Sequence, residues 1–231
     1  MKHLKPALAG LAALALLAGC GNDKTPNPMA AAVGAVAKTG MAKLKGQGAD
    51  AAPAAAQPAS PSDLRAELAQ AGQPILLVSS QALGQTGFLT VSDAKGGVLT
   101  WATPDGATFS QRDGVLIQTR GLGFDLMSAQ TPSVGQLRQV GTPYQRLYFF
   151  LGPDDQGTRR TYDCVTSSVG TERIEVVGRA HATTRLTETC TRSSGGGKIT
   201  NEFWIEGAMI RQSRQWVSAG LGYIDFARVI D

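Results

Sequence analysis

Residues 88–126 consist of short runs of alternating apolar and polar side chains, with glycine-containing turn clusters at roughly every eighth to tenth position. This pattern is typical of short antiparallel strands joined by tight turns. Residues 104–106 and 112–114 each suit a three-residue hairpin loop that closes on a left-handed glycine. Residues 93–97 suit a longer loop. The stretch therefore predicts a meander of four strands.

The loop lengths also predict the register of this meander. They place Phe109 opposite Trp101 on one neighbouring strand and opposite Ile117 on the other. The longer loop places Val91 opposite Leu99. One face of the meander is then expected to collect the apolar side chains of Leu89, Val91, Leu99, Trp101, Phe109, Val115 and Ile117.

The beginning of the chain has the pattern of a secretory signal peptide. Lys2 and Lys5 precede an apolar run over residues 7–19, and this run is too short to cross a bilayer as a helix. We therefore expect residues 1–19 to be a signal peptide that is removed from the mature protein.

Residues 17–20, Leu-Ala-Gly-Cys, match the bacterial lipoprotein box, in which the cysteine is lipidated and becomes the first residue. The alternative is a chance cysteine after an ordinary signal peptide. Acyl chains on Cys20, palmitate among them, would anchor the protein to a membrane. Gly21 follows where an Asp would favour retention in the inner membrane, so the sequence favours the outer membrane, with the protein facing the periplasm.

Residues 20–61 contain no aromatic residue and are dominated by small, polar and proline residues. Such a segment has little to bury against the entropy of ordering, so we expect a flexible, lipidated tether. A short helix follows, with Ser62 as its cap and Leu64 and Leu68 on one face. Residues 62–231 are long enough for one substantial core, which predicts a single β-rich domain.

Strand patterns continue on both sides of the meander. About eleven strands with short connections predict an all-β fold, in which antiparallel meanders curl into a partly open barrel or a sandwich. A second short helix is expected within residues 132–138. The further predicted strands are residues 75–79, 146–151, 160–168, 173–183, 186–192, 199–205, 210–217 and 223–230.

Two cysteines remain once Cys20 is lipidated, namely Cys164 and Cys190. An even number of cysteines in an exported protein favours a disulfide, and the alternative is two unpaired buried thiols. Neither cysteine has Cys-x-x-Cys spacing or a neighbouring histidine, so a catalytic role is not indicated.

Charge and residue types disfavour several function classes. The chain has 22 Lys and Arg residues against 18 Asp and Glu, and this unclustered surplus does not indicate a nucleic-acid partner. His181 is the one histidine of the mature chain, too few for a zinc site, and no metal or cofactor is expected. Glu202 and Glu206 would lie roughly 13 Å apart along a strand, too far for a glycosidase pair. Enzymatic activity is therefore not expected.

Aromatic and arginine side chains are the strongest candidates for contact with a ligand or partner, because sugar rings stack on aromatic faces and arginine binds hydroxyl and carboxylate groups. For the tryptophans, the alternative is a place in the core or lining a barrel. The candidates are Arg120, Trp204, Arg211, Arg214 and Trp216.

Residues 100–126 combine Trp101 with two Asp-Gly pairs, Arg-Gly-Leu and Asp-Leu, and residues 201–230 place Ser213, Gln215 and Trp216 after an aromatic-Trp strand. These spacings resemble the YjbF/GfcB family of lipoproteins, found with group 4 capsule and exopolysaccharide genes. The paired cysteines fit as well, whereas the Ala- and Pro-rich tether departs from the family.

The resemblance spans roughly residues 75–230 and implies a β-rich periplasmic lipoprotein that assists polysaccharide secretion, with no catalytic residue to carry over. The expected function is binding of a glycan or of export-machinery partners by a membrane-anchored protein. Two alternatives remain open at this point: a carrier with an apolar cavity for a lipid or acyl chain, and a polysaccharide-modifying hydrolase.

Overall fold

The computed structural model describes residues 60–151 and 157–231. The predicted signal peptide, the lipidation of Cys20 and nearly all of the predicted tether lie outside the described residues. In the part of the chain that the structure describes, no helix has the length and apolar character needed to cross a membrane.

The described chain forms twelve β-strands and two short helices. In chain order they are α1 (Pro61–Ala69), β1 (Ile75–Ser80), β2 (Gln85–Lys95), β3 (Val98–Ala102), β4 (Thr108–Arg112), β5 (Val115–Arg120), β6 (Leu126–Gln130), α2 (Val134–Leu137), β7 (Tyr144–Leu151), β8 (Gly157–Val176), β9 (Arg179–Arg192), β10 (Lys198–Glu206), β11 (Met209–Ser218) and β12 (Gly222–Ile230).

All twelve strands belong to one antiparallel sheet, in which neighbours along the chain are neighbours in space and β12 pairs with β1. The two edge strands, β5 and β6, are joined by side chains instead of a backbone ladder. Thr119 Oγ1 accepts a hydrogen bond from the amide of Leu126 at 2.9 Å. Arg120 donates to the carbonyls of Leu126 and Met127, at 3.2 and 3.1 Å. The sheet is therefore a nearly closed barrel, which confirms the predicted all-β fold.

The register of the meander was predicted correctly for one hairpin. Trp101 lies opposite Phe109 across β3 and β4. The β2–β3 connection is a two-residue Gly96-Gly97 turn, with a bulge between Val91 and Asp93. The expected five-residue loop is therefore wrong, and Val91 lies opposite Trp101 instead of Leu99.

The β4–β5 hairpin also differs from its predicted register. Its turn contains two residues, Asp113 and Gly114, at φ values of 50° and 85°, and a bulge separates Ser110 from Gln111. Two successive residues of positive φ give a turn whose twist matches that of the strands it joins. Phe109 consequently lies opposite Thr119, and not opposite Ile117 as predicted.

These shifts change which side chains of β5 are buried. Leu116 is 2% exposed and packs in the main cluster, whereas Ile117, assigned to the core face from the sequence, is only half-buried. Val115 is buried in a different cluster. The pattern of β5 could not be assigned correctly without the bulge, since one extra residue reverses the face of every residue beyond it.

The predicted strand over residues 173–183 is wrong, because it runs across the turn between β8 and β9. Val177 and Gly178 form this turn, at φ values of 45° and 73°. A β-branched residue rarely adopts positive φ. The valine at position 177 therefore gives no indication of a turn in the sequence. β8 is in fact continuous with the strand predicted over residues 160–168, apart from a bulge near Gly170.

The predicted disulfide is present. Cys164 and Cys190 lie directly opposite each other on β8 and β9 and are bonded, with an S–S distance of 2.06 Å. Both sulfurs are buried in the main apolar cluster of the barrel interior.

The interior contains two apolar clusters. The first, which we call the aromatic cluster, includes Trp101, Phe109, Leu116, Tyr148, Tyr162, Trp216 and Phe226. The second, which we call the aliphatic cluster, consists of Val115, Val134, Leu137, Leu186, Phe203, Ile205 and Ile210. Tyr144 packs against both clusters. The second helix, predicted within residues 132–138, contributes Val134 and Leu137, which bury it against the aliphatic cluster.

Helix α1 is capped by Ser60, and not by Ser62 as predicted, with Pro61 as the first helical residue. Ser60 and Asp63 exchange the two hydrogen bonds of a capping box. Leu64 and Leu68 are buried, as expected, in an outer apolar cluster with Ile75, Phe88, Ile174, Val176, Trp204 and Val229.

Gly178 provides a test of how α1 is held. A Cβ at this position would lie 2.6 Å from the Ser62 nitrogen, whereas a Cβ at Gly195, which has a similarly positive φ, would meet no atom within 4 Å. We expect Gly195→Ala to cost about 1–2 kcal/mol from left-handed strain alone. Gly178→Ala should cost roughly 1–3 kcal/mol more, because the helix backbone must move. Urea unfolding of both variants measures the difference, and equal losses would contradict this packing of α1.

Candidate functional site

A cleft of about 640 Å³ opens at one end of the barrel. It is bordered by the β2–β3, β4–β5 and β10–β11 turns, which an up-and-down order of strands places on the same rim. Its walls combine small residues, Ala94, Gly96, Gly97, Gly114 and Ala208, with the larger apolar residues Val98, Leu99, Met209 and Ile210. The volume falls within the range of small-molecule sites, about 300–1,000 Å³.

Arg228 on β12 supplies a positive charge to the cleft wall. Its guanidinium lies 4.7 Å from the centre of the Trp101 ring. Among the described residues, its Nε has no hydrogen-bond partner, and the nearest acidic oxygen of Asp231 is 3.9 Å away. Burial lowers the pKa of Arg228 below its ordinary value, as does the positive charge of Arg211, against an opposing effect of Asp231. Since arginine stays protonated, Arg228 is a partly desolvated cation.

Gln111 on β4 lies beside Arg228 in the same wall and is only 4% exposed. Its Oε1 accepts a hydrogen bond from Trp101 Nε1 at 3.1 Å. This bond fixes the orientation of the Gln111 amide. In the reversed orientation the amide NH2 group would face the N–H of Trp101, and two donors do not form a hydrogen bond. The Nε2 of Gln111 is closed to solvent and has no hydrogen-bond partner among the described residues.

A small cavity adjoins the cleft on the side of the barrel interior. Gln111, Gly114, Ile210 and Arg228 line both spaces, and Arg211 lines the lower one. Lys95 and Asp113 are exposed at the rim of the cleft. The charged residues that line the cleft are therefore two cations and one anion.

A second polar group lies fully inside the barrel. Arg146 Nε donates to Glu188 Oε1 at 2.7 Å, and these side chains are 1% and 0% exposed. Tyr144 donates to the same oxygen at 2.6 Å, and Asn201 Nδ2 donates to Glu188 Oε2 at 2.6 Å. Arg146 also donates to the hydroxyl of Tyr148 at 3.3 Å. The network thus contacts Tyr148, a member of the aromatic cluster, and Tyr144, which packs against both clusters.

The ionisation of this network follows from its burial. Burial alone would lower the pKa of Arg146, but the adjacent Glu188 carboxylate raises it above its ordinary value. Burial, together with the negative charge of Glu188, raises the pKa of Tyr144. Arg146 and Glu188 therefore form an ion pair beside a neutral tyrosine. Arg146 Nη2 has no hydrogen-bond partner among the described residues. The other polar groups of the network bind one another away from solvent, and we assign the network to structure.

Cys164, Cys190 and Glu188 lie close enough together to suggest a metal site by residue type alone. The two sulfurs are joined in the disulfide. Both carboxylate oxygens of Glu188 accept hydrogen bonds from Arg146, Tyr144 and Asn201. These atoms are therefore already engaged, and we assign no metal to them.

The two candidate tryptophans on β10 and β11 occupy separate environments. Trp204 is 7% exposed and packs in the outer cluster beside α1, where Nε1 donates to Glu172 and Arg185 lies over the ring. Trp216 is 8% exposed and packs against the rings of Tyr148 and Phe150. Both tryptophans are therefore packed in apolar clusters. A packed position was the alternative to ligand contact that the sequence left open.

The candidate arginines are also dispersed. Arg120 joins β5 to β6, as described above. Arg211 pairs with Glu206 and Asp231 at 2.7 and 2.6 Å, and Arg214 lies 3.5 Å from Asp225. The structure does not bring the five candidate residues into one surface, although Arg211 reaches the cavity below the cleft.

The two glutamates considered for a glycosidase pair, Glu202 and Glu206, also form hydrogen bonds with basic side chains. Glu202 accepts from Arg185 Nη2. Glu206 binds both Arg211 and His181, the latter through Nδ1 at 3.0 Å. These hydrogen bonds, that from His181 first, lower the pKa of Glu206. His181 is therefore a buried partner in an ion-pair cluster.

Sequence reasoning missed Arg228 and Gln111, although a signal was present. Ile224, Phe226 and Arg228 alternate along β12, so the arginine continues a face whose first two members are core residues. Gln111 likewise lies opposite Leu99, which packs against the core. A polar residue on an apolar strand face is the informative exception to the pattern.

No curated protein matches this chain. The crystal structure of the hypothetical lipoprotein YmcC from Escherichia coli (K12) is similar, with a TM-score of 0.61 and 20% sequence identity over 77% of this chain and 98% of that chain. That likeness shows the shared fold. The family described as group 4 capsule polysaccharide lipoprotein gfcB, YjbF, matches residues 49–229. The chain therefore belongs to this lipoprotein family, which implies a membrane-anchored protein.

Proposed function

We propose that this protein is an outer-membrane lipoprotein, facing the periplasm, that assists the secretion or assembly of capsule or exopolysaccharide by binding the glycan. The match of residues 49–229 to a family of capsule polysaccharide lipoproteins carries the proposal. The lipoprotein box at residues 17–20 supports the anchor. Binding of export-machinery partners is the other way in which such a protein would act.

The cleft supports glycan binding as the mode of action. It is open to solvent at the barrel rim, it is of small-molecule size, and the glycines and alanines in its wall allow a sugar ring to approach the backbone. Fixed polar donors in a concave site give orientation and specificity. Gln111 and Arg228 are such donors.

The packing of the barrel interior argues against the lipid-carrier alternative. Large side chains fill it, and Trp101, Phe203 and Tyr148 are each no more than 1% exposed. The aromatic and aliphatic clusters meet at Tyr144. An acyl chain would therefore have to displace packed core residues, at a cost of several kcal/mol.

Deletion of the gene tests the proposed function. We expect loss of most surface and secreted polysaccharide, with recovery on expression of the wild-type protein. The Cys20→Ser variant should restore it poorly, because the protein is then no longer held at the membrane. Crosslinking in the wild-type strain would identify bound glycan or partner proteins. Unchanged polymer in the deletion strain would contradict the proposal.

A further inference from the structure

The cleft holds two donors that the folded chain leaves without partners. Among the residues that the structure describes, Gln111 Nε2 is buried without a hydrogen-bond partner, as is Nε of Arg228, whose nearest acidic oxygen, on Asp231, is 3.9 Å away. A buried donor without an acceptor destabilises the fold, and more so when the group is charged. Both belong to residues that line the opening. Both nitrogens are closed to solvent in this structure, so an acceptor from outside reaches them only after the side chains of the cleft wall shift, and it would then remove this cost.

Trp101 holds the two donor residues in place. Its ring lies beneath the Arg228 guanidinium, and its Nε1 binds the Gln111 amide. Trp101 is itself 0% exposed. Trp101 therefore fixes the Gln111 carbonyl oxygen and supports the Arg228 guanidinium before a ligand arrives, and this preorganisation reduces the entropy lost on binding.

The charges favour a ligand with a single negative charge. Arg228 and Lys95 line the cleft against one carboxylate, that of Asp113, which leaves one positive charge in excess. Asp231 near Arg228 weakens this excess further. A carboxylate carries one charge and matches the planar guanidinium, whereas a phosphate monoester carries about −1.5 to −2 and would exceed the positive charge available.

We propose that the cleft binds an acidic saccharide, with the carboxylate of one uronic acid unit bound by Arg228 and Gln111. The inference rests on the proposed glycan binding and adds the sugar chemistry and the residues that recognise it. The carboxylate lies over the Trp101-supported pair, and the rest of the saccharide follows the small-residue walls toward solvent.

Isothermal titration calorimetry on the full-length protein in detergent tests this proposal. The probes are a tetragalacturonic acid with methyl esters on three of its four carboxyl groups, which carries one negative charge, and the fully methyl-esterified form, which has the same rings without the charge. We expect the acid to bind at least about tenfold more tightly than the ester, because only the acid forms hydrogen bonds between two charged groups. Inorganic phosphate, added as a competitor, should displace it poorly.

Gln111→Glu is the most informative variant. It keeps an oxygen to accept from Trp101 Nε1 but replaces the free donor with a negative charge. We expect it to fold normally and to lose binding of the acid by about tenfold or more. Arg228→Gln should lose a similar amount, and Arg228→Lys should lie between it and the wild type, since lysine keeps the charge without the planar fork.

Arg214→Gln is the matched control. Arg214 also stacks on an aromatic ring, that of Tyr223 at 5.3 Å, and lies near an acidic residue, but it does not line the cleft. This variant should bind like the wild type. A urea unfolding midpoint for each variant separates a lost contact from a lost fold.

The outcomes separate this inference from the function on which it rests. Binding of the ester as tightly as the acid would preserve glycan binding and overturn the acidic specificity. Equal binding by the wild type, Gln111→Glu and Arg228→Gln would overturn the cleft as the site. Displacement by phosphate as effective as that by the acid would indicate a general anion site and overturn the saccharide. Absence of binding to either probe would overturn both the inference and the glycan-binding proposal.

Discussion

Glu188→Gln is expected to reduce the free energy of unfolding by about 3–5 kcal/mol, because it leaves the buried Arg146 guanidinium without its counter-charge. The two side chains are 1% and 0% exposed, so water cannot replace the lost carboxylate without opening the barrel. With a urea slope of about 2 kcal/mol per molar, this loss lowers the unfolding midpoint by roughly 1.5–2.5 M.

Two further variants define the cause of this loss. Adding Arg146→Met to Glu188→Gln removes the stranded charge, while the amide introduced at position 188 keeps an acceptor for Tyr144 or Asn201. We therefore expect the double variant to be more stable than the Glu188→Gln single variant, with a coupling of roughly 1–3 kcal/mol. Glu202→Gln breaks the partly exposed pair with Arg185 and should cost less than about 1 kcal/mol. A loss that small for Glu188→Gln would show that the charge of Arg146 is hydrated.

Loss of the Cys164–Cys190 disulfide is expected to cost about 3.5 kcal/mol in the chain-entropy model. The bond closes a loop with a sequence separation of 26 residues, and its removal releases that loop in the unfolded chain. The measurement compares urea unfolding of the oxidised protein with that of the Cys164→Ala/Cys190→Ala variant. The urea slope should also rise, because the uncrosslinked unfolded chain exposes more surface.

The reduced wild-type protein is the control for this variant. Its two thiols keep most of the volume of the disulfide, whereas the alanines leave a small void in the aromatic cluster. The reduced protein should therefore show the entropic loss without the cost of the void, and should be slightly more stable than the double-alanine variant. If reduction left both the midpoint and the slope unchanged, the loop-entropy explanation would be wrong.

The fold class was predictable from the sequence because strand alternation and turn chemistry repeat along most of the domain. Individual registers were less predictable. The bulge beside Gln111 reverses the inward and outward faces of β5, and no local residue type marks it. Val177 conceals the turn between β8 and β9, because valine is a strong strand former that here takes positive φ. The packing of the barrel decides these positions, and only three-dimensional contacts reveal it.

The candidate site was harder to predict than the fold. Tryptophan and arginine were sensible choices by residue type, yet Trp204 and Trp216 pack in separate clusters. The cleft instead combines Gln111 of β4 with Arg228 of β12, which are far apart in sequence and meet only when the sheet curls. Their shared signal, a polar group on an apolar strand face, becomes specific only when Trp101 is known to contact both.

An even number of strands brings the chain into the barrel and out of it at the same rim, and that rim carries the cleft. Helix α1 lies there against the β8–β9 turn, and Asp231 lies there beside Arg211. A purification tag or fluorescent reporter fused to the carboxyl end would crowd the ligand opening. Insertion into the β9–β10 turn, at Gly195 to Gly197, would place the same cargo at the opposite rim and leave the opening clear.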